Sequence, residues 1–114
     1  IKKMNWQGVQ LLYPEVDGTY PNHIADPSVL KDMQDLIGYV SAEDFSFGVG
    51  LDGDCDRMAA VTKSGDLILG DKLLSLFAQD IIQHHPDMTM VFDIKCSSGL
   101  AERVTDLGGT WYRC

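Results

Sequence analysis

The sequence predicts an α/β fold, a layered mixed sheet with flanking helices, on three observations. Short apolar segments at period two alternate along the chain with longer segments whose apolar residues recur at helical spacing. Glycine, proline and aspartate punctuate the joins between them. The composition, 45% hydrophobic and 23% charged over 114 residues, suits one modest core and is too short to presume two complete domains. Alternating strands and helices of this kind build α/β layers.

The elements follow in order. Gly8-Val9-Gln10-Leu11-Leu12-Tyr13 reads as a short strand stopped by Pro14. Glu15 to Asp26 is an irregular stretch with turn signals at Asp17-Gly18 and Pro21-Asn22, long enough to suggest a functional loop. Asp26-Pro27-Ser28 opens a helix, capped by Asp26 or Ser28, with Val29, Met33, Leu36, Ile37 and Val40 on one face. Phe45, Phe47, Val49 and Leu51 alternate with small or polar residues, a strand that runs into Asp52. Met58 to Thr62 is the next strand, Lys63-Ser64-Gly65-Asp66 a turn, and Leu67-Ile68-Leu69 the return of a hairpin.

Asp71 caps a second helix, in which Leu73, Leu74, Leu76, Phe77, Ile81 and Ile82 call for cover on more than one side. That helix ends near His84-His85-Pro86, where the histidines complement its dipole rather than bind metal. Met88 to Asp93 is a nearly continuous apolar run, the pattern of a buried strand. Ser97-Ser98 starts a third helix carrying Leu100, Val104 and Leu107 and stopping at Gly108-Gly109; Trp111-Tyr112 begins a last strand. Trp6 and Trp111 read as core or rim aromatics, Cys96 as a small hydrophobe, and His23 as a polar loop residue.

Charge and cysteine usage exclude several functions. Seventeen acidic against nine basic residues give a net charge of −8, a surface that repels phosphate backbones and makes nucleic acid an unfavourable partner. No apolar run approaches the ~20 residues that span a bilayer, and Ile1 to Trp6 lacks the apolar stretch of a leader, so no membrane association is expected. Cys55, Cys96 and Cys114 are odd in number with no CxxC pair; free thiols in a reducing cytoplasm are the simplest account.

The chemistry gathers at Asp52-Gly53-Asp54-Cys55-Asp56-Arg57. Three carboxylates at every second position can turn to one side and converge on a single ion, with Gly53 easing the bend. Hard oxygen donors of this kind select Mg²⁺, Ca²⁺ or Mn²⁺. Without a cation they repel one another. A plain surface turn needs one aspartate, not three. An EF-hand fails the test: counted from Asp52, its glycine position falls on Arg57 and its glutamate position on Lys63. A guanidinium at Arg57 suits bidentate capture of phosphate, or a salt bridge back to the aspartates, and the two roles are compatible.

These residues resemble a known family. Asp52 to Arg57 is similar to the D-G-D-G-D-R metal loop of the α-D-phosphohexomutases, with Cys55 at the second glycine, and most closely to the bacterial phosphomannomutase/phosphoglucomutase branch. Asp17 to His23 and Asp26-Pro27 resemble its D-G-x-F-P-N-H-H-P-D-P stretch. Gly70 to Leu74 resembles its next helix start, Phe92 to Cys96 its D-V-K-C strand, and Gly108-Gly109 the glycine pair that follows. The series covers nearly the whole chain in order.

The resemblance implies two partial phosphohexomutase domains: residues 1–66 as the later half of domain II with the metal loop, and 67–114 as the opening half of domain III. It implies reversible phosphoryl transfer between the 1 and 6 positions of a hexose phosphate (mannose or glucose), through a phosphoserine and a bisphosphorylated sugar. Asp52, Asp54 and Asp56 would hold Mg²⁺, Arg57 would stabilise the transferring group, and Lys95 would reach the sugar phosphate. Lys95 also reads as a solvated lysine at a strand end. The chain holds no T-A-S-H-N-P-like serine loop and no G-E-x-S-G-H sugar-reading loop, so these 114 residues alone are expected to be inactive. Cys55 puts an L-residue where a positive φ is costly. Two half-domains leave open strand edges, which favours self-association. Two other functions fit the loop: an aspartate-nucleophile phosphatase or phosphotransferase using a D-x-D pair, and a non-catalytic cation-binding module.

Overall fold

The structure, a computed structural model, describes residues 5–114. The reading of Ile1 to Trp6 therefore falls largely on residues outside that range. The fold is α/β, with the strands in two separate sheets. In chain order its elements are a 3-10 turn (Leu30–Met33) leading into α1 (Gln34–Ala42), β1 (Phe47–Leu51), β2 (Met58–Thr62), β3 (Leu67–Ile68), α2 (Gly70–His84), β4 (Thr89–Phe92), α3 (Ser98–Asp106) and β5 (Thr110–Arg113).

The first sheet is antiparallel in the order β1-β2-β3, registered by Phe47 opposite Thr62, Leu51 opposite Met58, and Val61 opposite Leu67. The Lys63–Asp66 turn forms as expected, with Gly65 at φ +88. Lys63 reaches back to the end of α1, donating from Nζ to the carbonyls of Val40 and Glu43, where the helix leaves acceptors free. The second sheet pairs β4 with β5 in parallel across α3.

Two apolar clusters hold these layers. Met33 and Val40 from the helical layer meet Ala59 and Val61 of β2, with Leu36, Ile37, Phe45 and Leu67 packed around them. Ala78 and Ile82 of α2 meet Phe92 and Leu100, Ala101 and Val104 of α3; Met90, Cys96 and Leu107 pack around that cluster. Leu67 and Ile68 pair with Val61 and Ala60 of β2 and complete the first sheet.

The period-two alternation of β1 is present, but its bulky face is the open one. Gly48 is buried and Gly50 half-buried, while Phe47, Val49 and Leu51 face outward. α1 and the 3-10 turn before it lie so close that a Cβ on Gly48 would stand 2.6 Å from Val40 Cγ2, and one on Gly50 2.5 Å from Met33 Sδ. The glycines admit the helix, and the large side chains are left for another surface.

Five expectations are corrected. Gly8–Tyr13 is not a strand: Gly8 (φ +73) and Tyr13 (φ +51) both leave extended geometry, and no described strand offers it a ladder. The first helix starts at Leu30 rather than Ser28, because Asp26 spends its carboxylate on an Asx turn with the Ser28 N–H and hydroxyl at 3.0 and 2.7 Å. The second helix is covered on one side only, through Leu73, Ala78 and Ile82, leaving Leu76 and Phe77 exposed. β4 buries Phe92 but exposes Val91. Trp6 is 58% exposed, not core. Trp111 is also partly open; it stacks on Phe92 at 5.6 Å and donates from its indole to Thr105 Oγ1 at 3.0 Å.

Asp71 lies inside the first turn of α2 and ties it to the start of α3, accepting from the Ser97 N–H at 3.4 Å. Hydrogen bonding from Ser97 holds its carboxyl below the ordinary carboxylate range. His84 ends α2 with Nδ1 against the Asp80 carbonyl, and His23 rests its ring edge on Tyr13.

Candidate metal centre

β1 and β2 form a hairpin, and the acidic residues are its loop. Past the last ladder pair, Leu51 with Met58, the Asp52 N–H donates to the Arg57 carbonyl at 3.2 Å, so the strands close one step further before the chain turns. The Cys55 N–H donates to the Asp52 carbonyl at 3.2 Å. Residues 52–56 are therefore a turn. An oxygen from each of Asp52, Asp54 and Asp56 nonetheless lies within 4.8 Å of the others. The Cys55 thiol is not part of that group.

The three carboxylates are unequal. Asp52 is buried, at 5% exposure, while Asp54 and Asp56 face solvent. Both Asp52 oxygens are engaged by one residue: Oδ1 accepts the Arg57 N–H at 3.0 Å and Oδ2 accepts Arg57 Nε at 2.8 Å. The Arg57 backbone N–H, with its guanidinium in support, holds the Asp52 carboxyl down at about 2. Asp56 is pushed the other way by the negative charges of Asp54 and Asp52. A pair of carboxylates that raise a neighbour's pKa is a local excess of negative charge, and a hard cation relieves it. The oxygen-only donor set fits such an ion.

Arg57 is the pivot of the site. Besides Asp52 it faces Asp56 at 3.9 Å and Asp26 at 3.7 Å, while 61% of its side chain stays exposed. The salt bridge to the aspartates anticipated from sequence is formed, and the outer side of the guanidinium stays open to solvent. Lys95 lies elsewhere, exposed in the turn after β4, its backbone N–H on Asp93 Oδ1 at 2.7 Å. No ion pair joins it to the loop among the described residues.

Two neighbours of the loop were not read from sequence as parts of it. Asp26 pairs with Arg57, and Tyr20 lies against Gly53. Both belong to the motif stretch that precedes the first helix, but no spacing rule links them to a loop so far along the chain.

Cys55 adopts φ +64, the left-handed geometry that glycine takes freely. Cys55→Gly removes a strain of about 1–2 kcal/mol, partly offset by glycine's greater unfolded-state freedom. The expected outcome is a net gain of about 1 kcal/mol, read as a rise of several degrees in Tm. An unchanged or lower Tm contradicts it.

The family model for phosphoglucomutase/phosphomannomutase, alpha/beta/alpha domain II, matches residues 2–65. The chain belongs to the phosphoglucomutase/phosphomannomutase family. It is 43% identical over 98 residues to a phosphomannomutase/phosphoglucomutase of Pseudomonas aeruginosa, a match covering 86% of this chain and 21% of the relative. It is 44% identical, with the same coverage, to a phosphoglucomutase of Neisseria meningitidis. A phosphomannomutase of Methanocaldococcus jannaschii is 31% identical over 97 residues, 85% of this chain and 21% of the relative. The crystal structure of a phosphoglucomutase/phosphomannomutase family protein from Burkholderia thailandensis superposes with a TM-score of 0.84 at 37% identity, covering 90% of this chain and 22% of that one. The chain spans about a fifth of the length of the curated relatives it matches.

Proposed function

We propose that this chain is the metal-loop portion of a phosphomannomutase/phosphoglucomutase that interconverts hexose 1-phosphate and hexose 6-phosphate. Residues 1–66 are the later half of domain II and 67–114 the opening half of domain III, and the phosphorylated serine comes from outside these 114 residues. The observation that carries the reading is the convergence of Asp52, Asp54 and Asp56 beside Arg57, in a chain of this family.

Asp52, Asp54 and Asp56 would hold Mg²⁺. Bound there, the ion supplies positive charge against the negative charge gathering on a phosphoryl group in transfer. Asp52 also anchors Arg57 through its backbone N–H and its Nε, which fixes the guanidinium beside the carboxylates and leaves its outer donors for the phosphoryl oxygens. Lys95, on the other half of the chain, reaches the phosphate at the far end of the sugar. The phosphoserine donates its phosphoryl group to the free hydroxyl of the bound monophosphate, the bisphosphate turns over, and the serine takes back the other phosphate. Three unpaired thiols support a cytoplasmic protein, and among the described residues no helix is long and apolar enough to cross a membrane.

The full-length protein incubated with mannose or glucose 1-phosphate is expected to form the 6-phosphate, and to lose this on treatment with EDTA. Acid-quenched enzyme should carry a hydroxylamine-stable phosphoserine. A hydroxylamine-labile acyl phosphate would establish the aspartate-nucleophile chemistry instead.

Phe47, Val49 and Leu51 leave an apolar face beside the open edge of β1. The isolated chain is therefore expected to self-associate. Sedimentation as a compact monomer at about 50 μM contradicts that.

A further inference from the structure

Gly53 does not owe its identity to backbone twist. The glycines at positive φ are Gly8, Gly65 and Gly108, and in this loop the left-handed residue is Cys55. What a side chain at Gly53 would meet is Tyr20: a Cβ there would lie 2.5 Å from the Tyr20 hydroxyl oxygen and 3.5 Å from its Cζ, so the phenol would have to move. The tip of the phenol thus rests on the backbone between Asp52 and Asp54.

Tyr20 is itself held in place. Its N–H donates to the Asp17 carbonyl at 3.2 Å, and Asp17 Oδ1 accepts the Thr19 N–H at 2.9 Å and the Thr19 hydroxyl at 2.7 Å. This knot keeps Tyr20 at φ +51, a conformation an L-residue holds only when its surroundings impose it.

We infer that Tyr20 is a positioning residue for the aspartate loop. Its phenol braces Gly53 and sets the separation of the Asp52 and Asp54 carboxylates, and hence the affinity of the loop for a divalent cation. The inference rests on the metal-binding reading above. Groups that orient ligands from behind typically change metal affinity 10–100-fold when removed.

The test uses Mn²⁺ binding to the full-length protein, followed by the paramagnetic resonance signal of the free ion, with metal-free melting curves alongside. Tyr20→Ala and Gly53→Ala are each expected to raise the Kd at least ~10-fold, at a temperature where all variants are folded. Tyr20→Phe introduced into Gly53→Ala removes the oxygen that the new Cβ meets. That double variant should recover affinity to within about threefold of the original chain, the non-additivity expected of residues in contact. A Kd unchanged in either single variant, with or without a fall in Tm, overturns the inference, as does a double variant no better than Gly53→Ala. If the unmodified full-length protein binds no Mn²⁺, the metal-binding reading itself fails and takes this one with it.

Discussion

Asp54→Ala is expected to cost the full-length enzyme about a thousandfold or more in Mg²⁺-dependent turnover while leaving its Tm nearly unchanged. Asp54 is the informative carboxylate because it is exposed and takes no part in the ion pairs of Arg57 among the described residues. Its removal leaves the hairpin closure and the Asp52–Arg57 bonds in place. An ion offsetting charge on a phosphoryl group is worth several kcal/mol in the transition state, and about 4 kcal/mol is a thousandfold in rate. Asp52→Ala would be harder to interpret, since it also frees Arg57. Steady-state assays with a melting curve decide the matter: turnover within tenfold of the original enzyme removes the loop from catalysis.

Leu100→Ala carries the largest expected loss of stability. Leu100 is fully buried among Ala78, Ile82, Phe92 and Val104, where the two helices of the second cluster meet its sheet. Deleting its isobutyl group removes the transfer term and leaves a cavity, together about 3 kcal/mol. Against a typical domain stability of about 5–15 kcal/mol that is a large share. Chemical denaturation should show a midpoint shifted to clearly lower denaturant with the slope preserved. A shift equivalent to less than about 1 kcal/mol would mean that Leu100 is not central to this core.

What could be read from the residues alone was whatever depends on near neighbours. The hairpin turn at Lys63–Asp66, the stop at Gly108-Gly109 and the convergence of three aspartates are set within a few residues, and each formed. The covered face of β1 was not legible in the same way. Phe47, Val49 and Leu51 carry the pattern of a core face, yet the helix settles on the glycines between them, because close approach of α1 decides the packing. The strand expected at Gly8–Tyr13 failed for a related reason, since extended backbone needs a partner that no local pattern supplies.

The site divides along the same line. Arg57 was identified through its place next to the aspartates, and the salt bridge expected there is formed with Asp52. Asp26 and Tyr20 reach the loop from far up the chain, and no periodicity or spacing predicts such contacts. The positive φ at Cys55 was legible only as a cost, from the glycine it replaces in the family's motif; the structure places that cost at φ +64.

The measurement that bears most directly on the metal loop is anomalous diffraction from crystals of this protein grown with Mn²⁺. The expected result is one ion bonded at about 2.0–2.3 Å to an oxygen from each of Asp52, Asp54 and Asp56, with Arg57 alongside. Carboxylates turned apart with no anomalous peak between them, at millimolar Mn²⁺, would contradict the assignment.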